Sequence, residues 1–416
     1  MSSILESPRL ETLRAEYDAL RSRGLSLDLT RGKPSAAQLD LSSALLGIDL
    51  SADYRDAAGT DLRNYGGADG VTELRAIFAE LLGIPVDQLL AGNNASLQLM
   101  HDTVVHAVLH GVPGGEPWTG QDVAFLCPSP GYDRHFAVTE ALGIRMIPVP
   151  YLEDGSLDVP AIADRLSDPS VRGMWLVPMY ANPTGSVIDE ATARTLVSLP
   201  AASDFRIFWD NAYGWHHLTG EEPAPLDILG LAAEAGNPDR VFVYASTSKM
   251  TQAGAGVSFF ASSPANVAWF RAHSAVQTIG PDKLNQLRHA RFFGDAEGVR
   301  ALMRKHRALL EPKFALVERI LRERLASHAT WTKPKGGYFV TLYAPDGTAT
   351  RAVELAKQAG VAVTPAGAAY PYGHDPRDSA IRIAPSLPPE AELETAIEAL
   401  ALCVLLAEAE LAATVD

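Results

Sequence analysis

The sequence predicts an α/β fold: a large domain on a mostly parallel sheet with helices on both faces, and a smaller, discontinuous α/β domain assembled from the two ends of the chain. Short continuous apolar runs at 123–127, 174–177, 205–209 and 241–244 are separated by stretches of helical period, the pattern of strands buried on both faces of a parallel sheet. From about residue 282 to 325 the pattern is almost wholly helical, broken near Gly294 and Gly298, which suits a connecting helix pair that leaves the large domain. A shorter strand–helix alternation follows. These features draw the large domain at 50–300 and the small one at 1–49 plus 301–416.

Composition bounds the function. A chain of 416 residues with 47% apolar and 20% charged content buries a sizeable core. Lys+Arg 35 against Asp+Glu 50 leaves a net charge of −15, unfavourable for nucleic acid and for anionic membranes. Cys127 and Cys403 lie far apart in apolar surroundings and read as core thiols of a reducing, cytoplasmic compartment. The first residues lack an apolar core of signal-peptide length, and no apolar run reaches the ~18 residues of a membrane span.

In chain order, residues 5–24 read as a helix with Leu10, Leu13, Tyr17 and Leu20 on one face. A strand-like piece at 27–30 turns at Arg31-Gly32-Lys33-Pro34, and a loop carries Asn64-Tyr65-Gly66-Gly67. A helix at 72–82 precedes a short apolar segment that runs into Gly92, Asn93, Asn94, Ala95 and Ser96, then a helix at 97–110. Small residues at a helix start leave N–H groups aimed at an anion, although an ordinary cap looks the same. Strands at 123–127, 145–149, 174–177, 205–209, 241–244 and 257–260 alternate with helices, among them 160–166 and 190–199. The C-terminal part adds strands at 338–342, 361–363 and 380–384, a helix at 350–359, and a final amphipathic helix from 389 that includes the apolar stretch 400–411. The N-terminal helix is expected to pack on this part.

Polar residues collect where the strands end: Tyr132, Asn182, Asp210, Ser246, Ser248 and Lys249. Ligands of open α/β sheets bind outside the carboxyl ends of the strands. Ser246-Thr247-Ser248-Lys249 follows a buried strand. Burial there disfavours the ammonium form of the lysine and makes its amine nucleophilic. Alone, this stretch reads more readily as a surface lysine in a Ser/Thr loop. Together, the strand-end residues meet the needs of pyridoxal 5′-phosphate. The aldehyde takes Lys249 as a Schiff base, and the pyridine nitrogen takes a buried carboxylate, Asp210. The phenolate oxygen takes donors from Asn182 and Tyr213, and the ring face takes Tyr132. The phosphate takes the backbone N–H groups of Ala95, Ser96 and Leu97 with the hydroxyls of Ser246 and Ser248. Arg382, between Ile381 and Ile383, suits a substrate carboxylate.

With these residues in place, the chain resembles the fold-type I aminotransferases of class I/II. The matching pieces, in the family's order, are Asn64-Tyr65-Gly66-Gly67, Asn94-Ala95-Ser96, Pro128-Ser129-Pro130-Gly131-Tyr132, Ala181-Asn182-Pro183-Thr184-Gly185, Asp210-Asn211-Ala212-Tyr213, Ser246-Thr247-Ser248-Lys249, Gly336-Gly337-Tyr338-Phe339 and Ile381-Arg382-Ile383. More narrowly, Leu29-Thr30-Arg31-Gly32-Lys33-Pro34, Pro130-Gly131-Tyr132-Asp133-Arg134-His135 and Ile279-Gly280-Pro281-Asp282-Lys283 are similar to the aspartate aminotransferase subgroup with a MocR-like catalytic domain. The resemblance implies the fold-type I transferase fold and a homodimer with active sites at the subunit interface. It implies that Tyr65 reaches the neighbour's phosphate, that Gly32 and Asn182 join Arg382 at the substrate, and that Lys249 also moves the α-proton. It favours aspartate with 2-oxoglutarate as substrates.

One departure stands out. Many members carry a phosphate-binding arginine eight residues after the lysine, where this chain has Val257. Lys283, from this subunit or its partner, is the expected replacement. For the second carboxylate of a dicarboxylic substrate the candidates are Arg31, Lys33 and Arg134, with Arg31 preferred. Tyr65, Tyr370 and Tyr372 would instead suit an aromatic side chain. Other readings left open are a pyridoxal-phosphate β-lyase or decarboxylase and a non-catalytic ligand sensor. The net charge and the ~25 residues before the 27–34 segment weigh against an attached DNA-binding domain.

Overall fold

The structure is a computed structural model and describes residues 8–415; the expected start of the first helix at residues 5–7 lies outside them. Helix α1 (Pro8–Ser22) leads to β1 (Leu27–Asp28), the short α2 (Ala36–Asp40) and α3 (Thr72–Leu82). The central sheet is then laid down by β2 (Leu89–Ala91), α4 (Ser96–His110), β3 (Ala124–Ser129), α5 (Asp133–Ala141), β4 (Arg145–Pro150), α6 (Val159–Arg165), β5 (Val171–Leu176), α7 (Glu190–Ser198), β6 (Arg206–Asp210), α8 (Ile228–Glu234), β7 (Val241–Ser246) and β8 (Ser258–Ala261). Helices α9 (Pro264–Ser274), α10 (Lys283–Phe293) and α11 (Ala296–Leu325) follow. The remainder is β9 (Thr330–Trp331), β10 (Val340–Tyr343), α12 (Ala349–Gln358), β11 (Val361–Ala362), β12 (Ala380–Ile383) and α13 (Glu390–Val415).

The central sheet has the order β2-β8-β7-β6-β5-β3-β4. Neighbours from β7 to β4 are parallel, and β8 runs against both β7 and β2. Parallel strands need a crossover of about a dozen residues or more. The chain from Ser246 to Ser258 is a loop with only a short 3-10 turn, so it returns beside β7 in the opposite sense. Strands β3, β6 and β7 are buried along their whole length, which accounts for their continuous apolar runs. One face of the sheet closes on a core that includes Phe78, Trp209, Val243 and Phe259. The other closes on a core of Phe125, Trp175, Phe208, Phe242 and Phe260.

A third core lies under the small antiparallel sheet β9-β10-β12 and the parallel pair β1–β11. Leu10, Leu13, Tyr17 and Leu20 of α1 are buried in it, and the Tyr17 hydroxyl donates to the Leu355 carbonyl on α12 at 2.9 Å. Helix α13 departs from the amphipathic reading of the sequence. Residues 399–404 and 406–407 are all buried, so this part of the helix is enclosed on every side, as an all-round apolar helix requires.

Helix α11 joins the central-sheet core around Phe78 to the core of the small sheets, with Val299, Leu302 and Met303 in the former and Leu310, Phe314 and Val317 in the latter. It is separated from α10 at Gly294, whose φ of +73° is open to glycine. Gly298 makes no break: it sits in the first turn of α11, where its N–H is capped by the Asp295 carboxylate at 2.8 Å. Among the described residues no helix is long and apolar enough to cross a membrane. Cys127 and Cys403 are free and buried, and burial pushes the Cys403 thiol up to about 12.

Candidate active site

Because β3, β5, β6 and β7 are parallel, their carboxyl ends open on one edge of the sheet, and the loops that leave them meet there. β2 runs antiparallel to β8, and so in the same sense as β7. Its exit therefore delivers the start of α4 to the same edge, where the Gly92 N–H donates to the Ser258 carbonyl at 2.8 Å.

Asp210 ends β6 and is 2% exposed. His135 Nε2, on α5, donates to its Oδ2 at 3.0 Å, and the His135 ring lies flat on Trp175 with centroids 4.4 Å apart. The other oxygen, Oδ1, is buried with no hydrogen-bond partner among the described residues. A buried, unpaired carboxylate oxygen is costly unless a ligand proton meets it, and a protonated pyridine nitrogen is such a group. Tyr213, also buried, lies beneath Lys249, whose Nζ is 4.6 Å from its ring centroid. Tyr132 precedes α5 and sits close enough to Lys249, Tyr213 and Asp210 to feel their charges. Burial, the largest influence, pushes its hydroxyl up to about 12.

The phosphate end is equally well formed. Ser246 and Ser248 hydroxyls are 2.7 Å apart, and the Ser248 N–H donates to Ser246 Oγ at 3.0 Å. Ser248 Oγ approaches Asn94 Oδ1 at 3.4 Å, which brings the serine pair to the entrance of α4. Ala95 is the N-cap of that helix, so the N–H groups of Ser96 and Leu97 have no intrahelical acceptor. A Cβ on Gly256 would come within 2.8 Å of Ser248 Oγ, so a side chain there would crowd this cup. The residues present therefore fit pyridoxal phosphate at ring and phosphate alike.

Val257 is a core residue, 1% exposed, tied to Thr247 through Val257 N–H to Oγ1 at 2.9 Å and Thr247 N–H to the Val257 carbonyl at 2.9 Å. Nothing cationic stands at this position. Lys283 is buried, and its Nζ donates to the carbonyls of Asn64 and Gly66, each at 2.6 Å. No hydrogen bond joins it to Ser246, Ser248 or Ser96 among the described residues. It clamps the loop that presents Tyr65, a tyrosine 82% exposed.

Arg382 enters from β12. Its Nη1 donates to Asp133 Oδ1 at 2.9 Å and to Asn182 Oδ1 at 3.4 Å. Nε and Nη2 donate to Thr364 Oγ1 at 3.3 and 3.1 Å, and Nη2 reaches the Thr30 carbonyl at 3.5 Å. The guanidinium carbon lies 5.1 Å from the Phe339 ring centroid. Gly32 passes over the same ring, where a Cβ would stand 2.4 Å from it, so no other residue fits without displacing Phe339. Arg31, Lys33 and Arg134 are exposed, and none has a side-chain hydrogen bond or ion pair among the described residues. Arg31 directly follows Thr30, whose carbonyl meets Arg382. Tyr370 is buried, whereas the Tyr372 hydroxyl accepts the Met146 N–H of β4 at 2.8 Å, which ties it to the sheet edge rather than to Arg382.

The structure thus gathers Lys249, Asp210, Tyr213, Tyr132, Asn182, Ser246, Ser248 and the start of α4, and brings Arg382 to them. Sequence reasoning missed His135 and Asp133. His135 shares a helical face with Tyr132, a spacing that could have flagged it. The Asp133–Arg382 contact joins residues far apart in sequence, and no local signal announces it.

A family model described as aspartate amino-transferase matches residues 1–415. The aspartate aminotransferase of Corynebacterium glutamicum is 51% identical over 405 residues, covering 96% of this chain and 94% of that one. The crystal structure of an aspartate transaminase from the same organism superposes with a TM-score of 0.94, at 51% identity and 96% coverage of both chains. The α-aminoadipate aminotransferase LysN of Thermus thermophilus, solved with N-(5′-phosphopyridoxyl)-L-leucine, shares the fold at a TM-score of 0.75 and 22% identity, covering 95% of this chain and 98% of that one.

Proposed function

The chain belongs to the aspartate aminotransferase family, and on that premise we propose that it transfers the amino group of L-aspartate to 2-oxoglutarate, with pyridoxal 5′-phosphate held on Lys249. The observation that carries the reading is Asp210: a buried carboxylate with one oxygen satisfied by His135 and the other unpaired. Bound, the cofactor supplies the electron sink that lets an amino acid lose its α-proton. Asp210 holds the proton on the ring nitrogen, and His135 and Trp175 hold Asp210. Asn182 and Tyr213 would donate to the ring oxygen, and Tyr132 would cover the ring face. The N–H groups at Ala95, Ser96 and Leu97 and the hydroxyls of Ser246 and Ser248 hold the phosphate. With the cofactor bound, Lys249 Nζ would be the base that takes the substrate's α-proton.

Arg382, with Asn182 and the glycine backbone at Gly32, receives the α-carboxylate. Arg31 receives the second carboxylate of aspartate or 2-oxoglutarate; its free guanidinium next to Thr30 supports this. The protein acts as a homodimer in the cytoplasm. Its exposed Tyr65 reaches the phosphate of the neighbouring subunit, and Lys283 braces the loop that delivers it. The two units divide at 50–300 and at 1–49 plus 301–416.

The test offers the cofactor-loaded enzyme a panel of amino acids and follows its visible spectrum. Aspartate and glutamate convert the cofactor to its amine form, and 2-oxoglutarate or oxaloacetate restores it. No conversion by any amino acid overturns the reading in favour of ligand sensing. Release of ammonia and pyruvate from a β-substituted amino acid would make the chain a lyase.

A further inference from the structure

We propose that Asp133 is an internal stand-in for the substrate's α-carboxylate, which it mimics on Arg382 between turnovers and from which the incoming substrate displaces it. The proposal rests on the reading of Arg382 as the carboxylate site. All three guanidinium nitrogens are engaged. Their partners are neutral oxygens except Asp133, which is also the nearest at 2.9 Å. A substrate carboxylate cannot bind while every nitrogen is occupied, so at least one partner has to leave.

The geometry selects which. The Arg382 side chain is 10% exposed and that of Asp133 is 31% exposed. Arg382 is pinned by Thr364, by the Thr30 carbonyl and by the Phe339 ring. Asp133 has no other side-chain hydrogen bond among the described residues, and it is the first residue of α5. Once released, its carboxylate remains in the first turn of a helix, where a negative charge is favoured. Displacing it is therefore inexpensive, and its return keeps a nearly buried guanidinium paired after product leaves. A ping-pong transaminase must release a carboxylate product in each half-reaction. A competing carboxylate on the same cation weakens binding and speeds that release.

The experiment is an equilibrium titration of the cofactor-loaded enzyme with α-methyl-aspartate, which has no α-proton to lose, read from the visible spectrum. Asp133→Asn keeps the size and removes the charge. It is expected to tighten the ligand about tenfold, and in steady state to lower both KM and kcat for aspartate. Asp133→Ser, another good helix-start residue, gives the same result if the amide variant folds poorly. Binding that is unchanged or weaker, with KM raised, makes Asp133 a mere prop for Arg382 and overturns the proposal. Arg382→Ala separates the two layers of the argument. A large loss of affinity there, beside an unaltered Asp133→Asn, removes only the stand-in. No loss at Arg382 removes the carboxylate site itself.

Discussion

Around Asp210, the supporting contacts come from the central sheet and a helix packed on it. His135 reaches down from α5, its ring lies on Trp175 of β5, and the side chains of His135 and Asp210 are 2% and 3% exposed. Around Arg382, the contacts come from separate segments: Asp133 at the start of α5, Asn182 in the loop after β5, Thr364 after β11 and the Thr30 carbonyl after β1. The cofactor half of the site is core that ends in a carboxylate. The substrate half is a junction where parts of all three sheets meet. Chemistry common to every amino acid sits in the buried core, and recognition of a particular one sits where small changes in several segments can retune it.

The largest expected effect lies in the rigid half. Asp210→Ala removes the charge that keeps the ring nitrogen protonated and leaves His135 Nε2 without its acceptor. The expected loss in kcat is roughly 10²–10³, and it falls alike on aspartate, glutamate and any other amino acid the enzyme accepts, since all use the same ring. Steady-state assays on two or more substrates measure it. A loss confined to one substrate would show that Asp210 belongs to recognition and would break the division drawn here.

The same division governs what the sequence reveals. Asp210, Tyr213, Ser246 and Lys249 follow apolar runs that read as buried strands, and their common placement at the strand ends is a consequence of parallel pairing. The reversal of β8 follows from a loop too short for a crossover, a length that is legible in the chain. The partners of Arg382 are not legible in this way, because they are set by how the small sheet docks on the large one and no spacing encodes that. The enclosure of α13 is similar: its neighbours α1 and α12 come from opposite ends of the sequence. Lys283 is a different case: a missing cation at Val257 invites a substitute, and within this chain Lys283 is engaged by the carbonyls of Asn64 and Gly66, on the loop that presents Tyr65.

A smaller effect, in the junction, sharpens the comparison. Arg31→Ala is expected to lower kcat/KM for aspartate by roughly 10–100-fold, the worth of one charge-assisted pair, while leaving phenylalanine nearly unchanged. Equal losses on both substrates would mean that Arg31 only shapes the loop over Phe339, and would move the distal cation elsewhere, with Arg134 next in line.

The smallest effect tests the seam between the halves. Tyr338 is fully buried just before β10; its hydroxyl accepts from Gln38 Nε2 at 2.8 Å and donates to the Lys249 carbonyl at 3.3 Å. Gln38 also donates to His306 Nδ1 at 3.1 Å, and His306 Nε2 in turn meets the Met250 carbonyl at 2.9 Å. Burial holds His306 neutral, with its pKa down at about 4, so one ring nitrogen accepts and the other donates. This chain ties the small sheet to the backbone of the lysine loop without touching the amine. Tyr338→Phe removes the shared hydroxyl and leaves the Lys249 carbonyl short of one donor, while His306 still accepts from Gln38. The expected cost is about 1 kcal/mol, read as a lower urea midpoint with an unchanged slope, and activity stays within about threefold. If stability holds and turnover collapses, Tyr338 acts on the amine of Lys249 itself, and the seam is part of the catalytic half rather than its support.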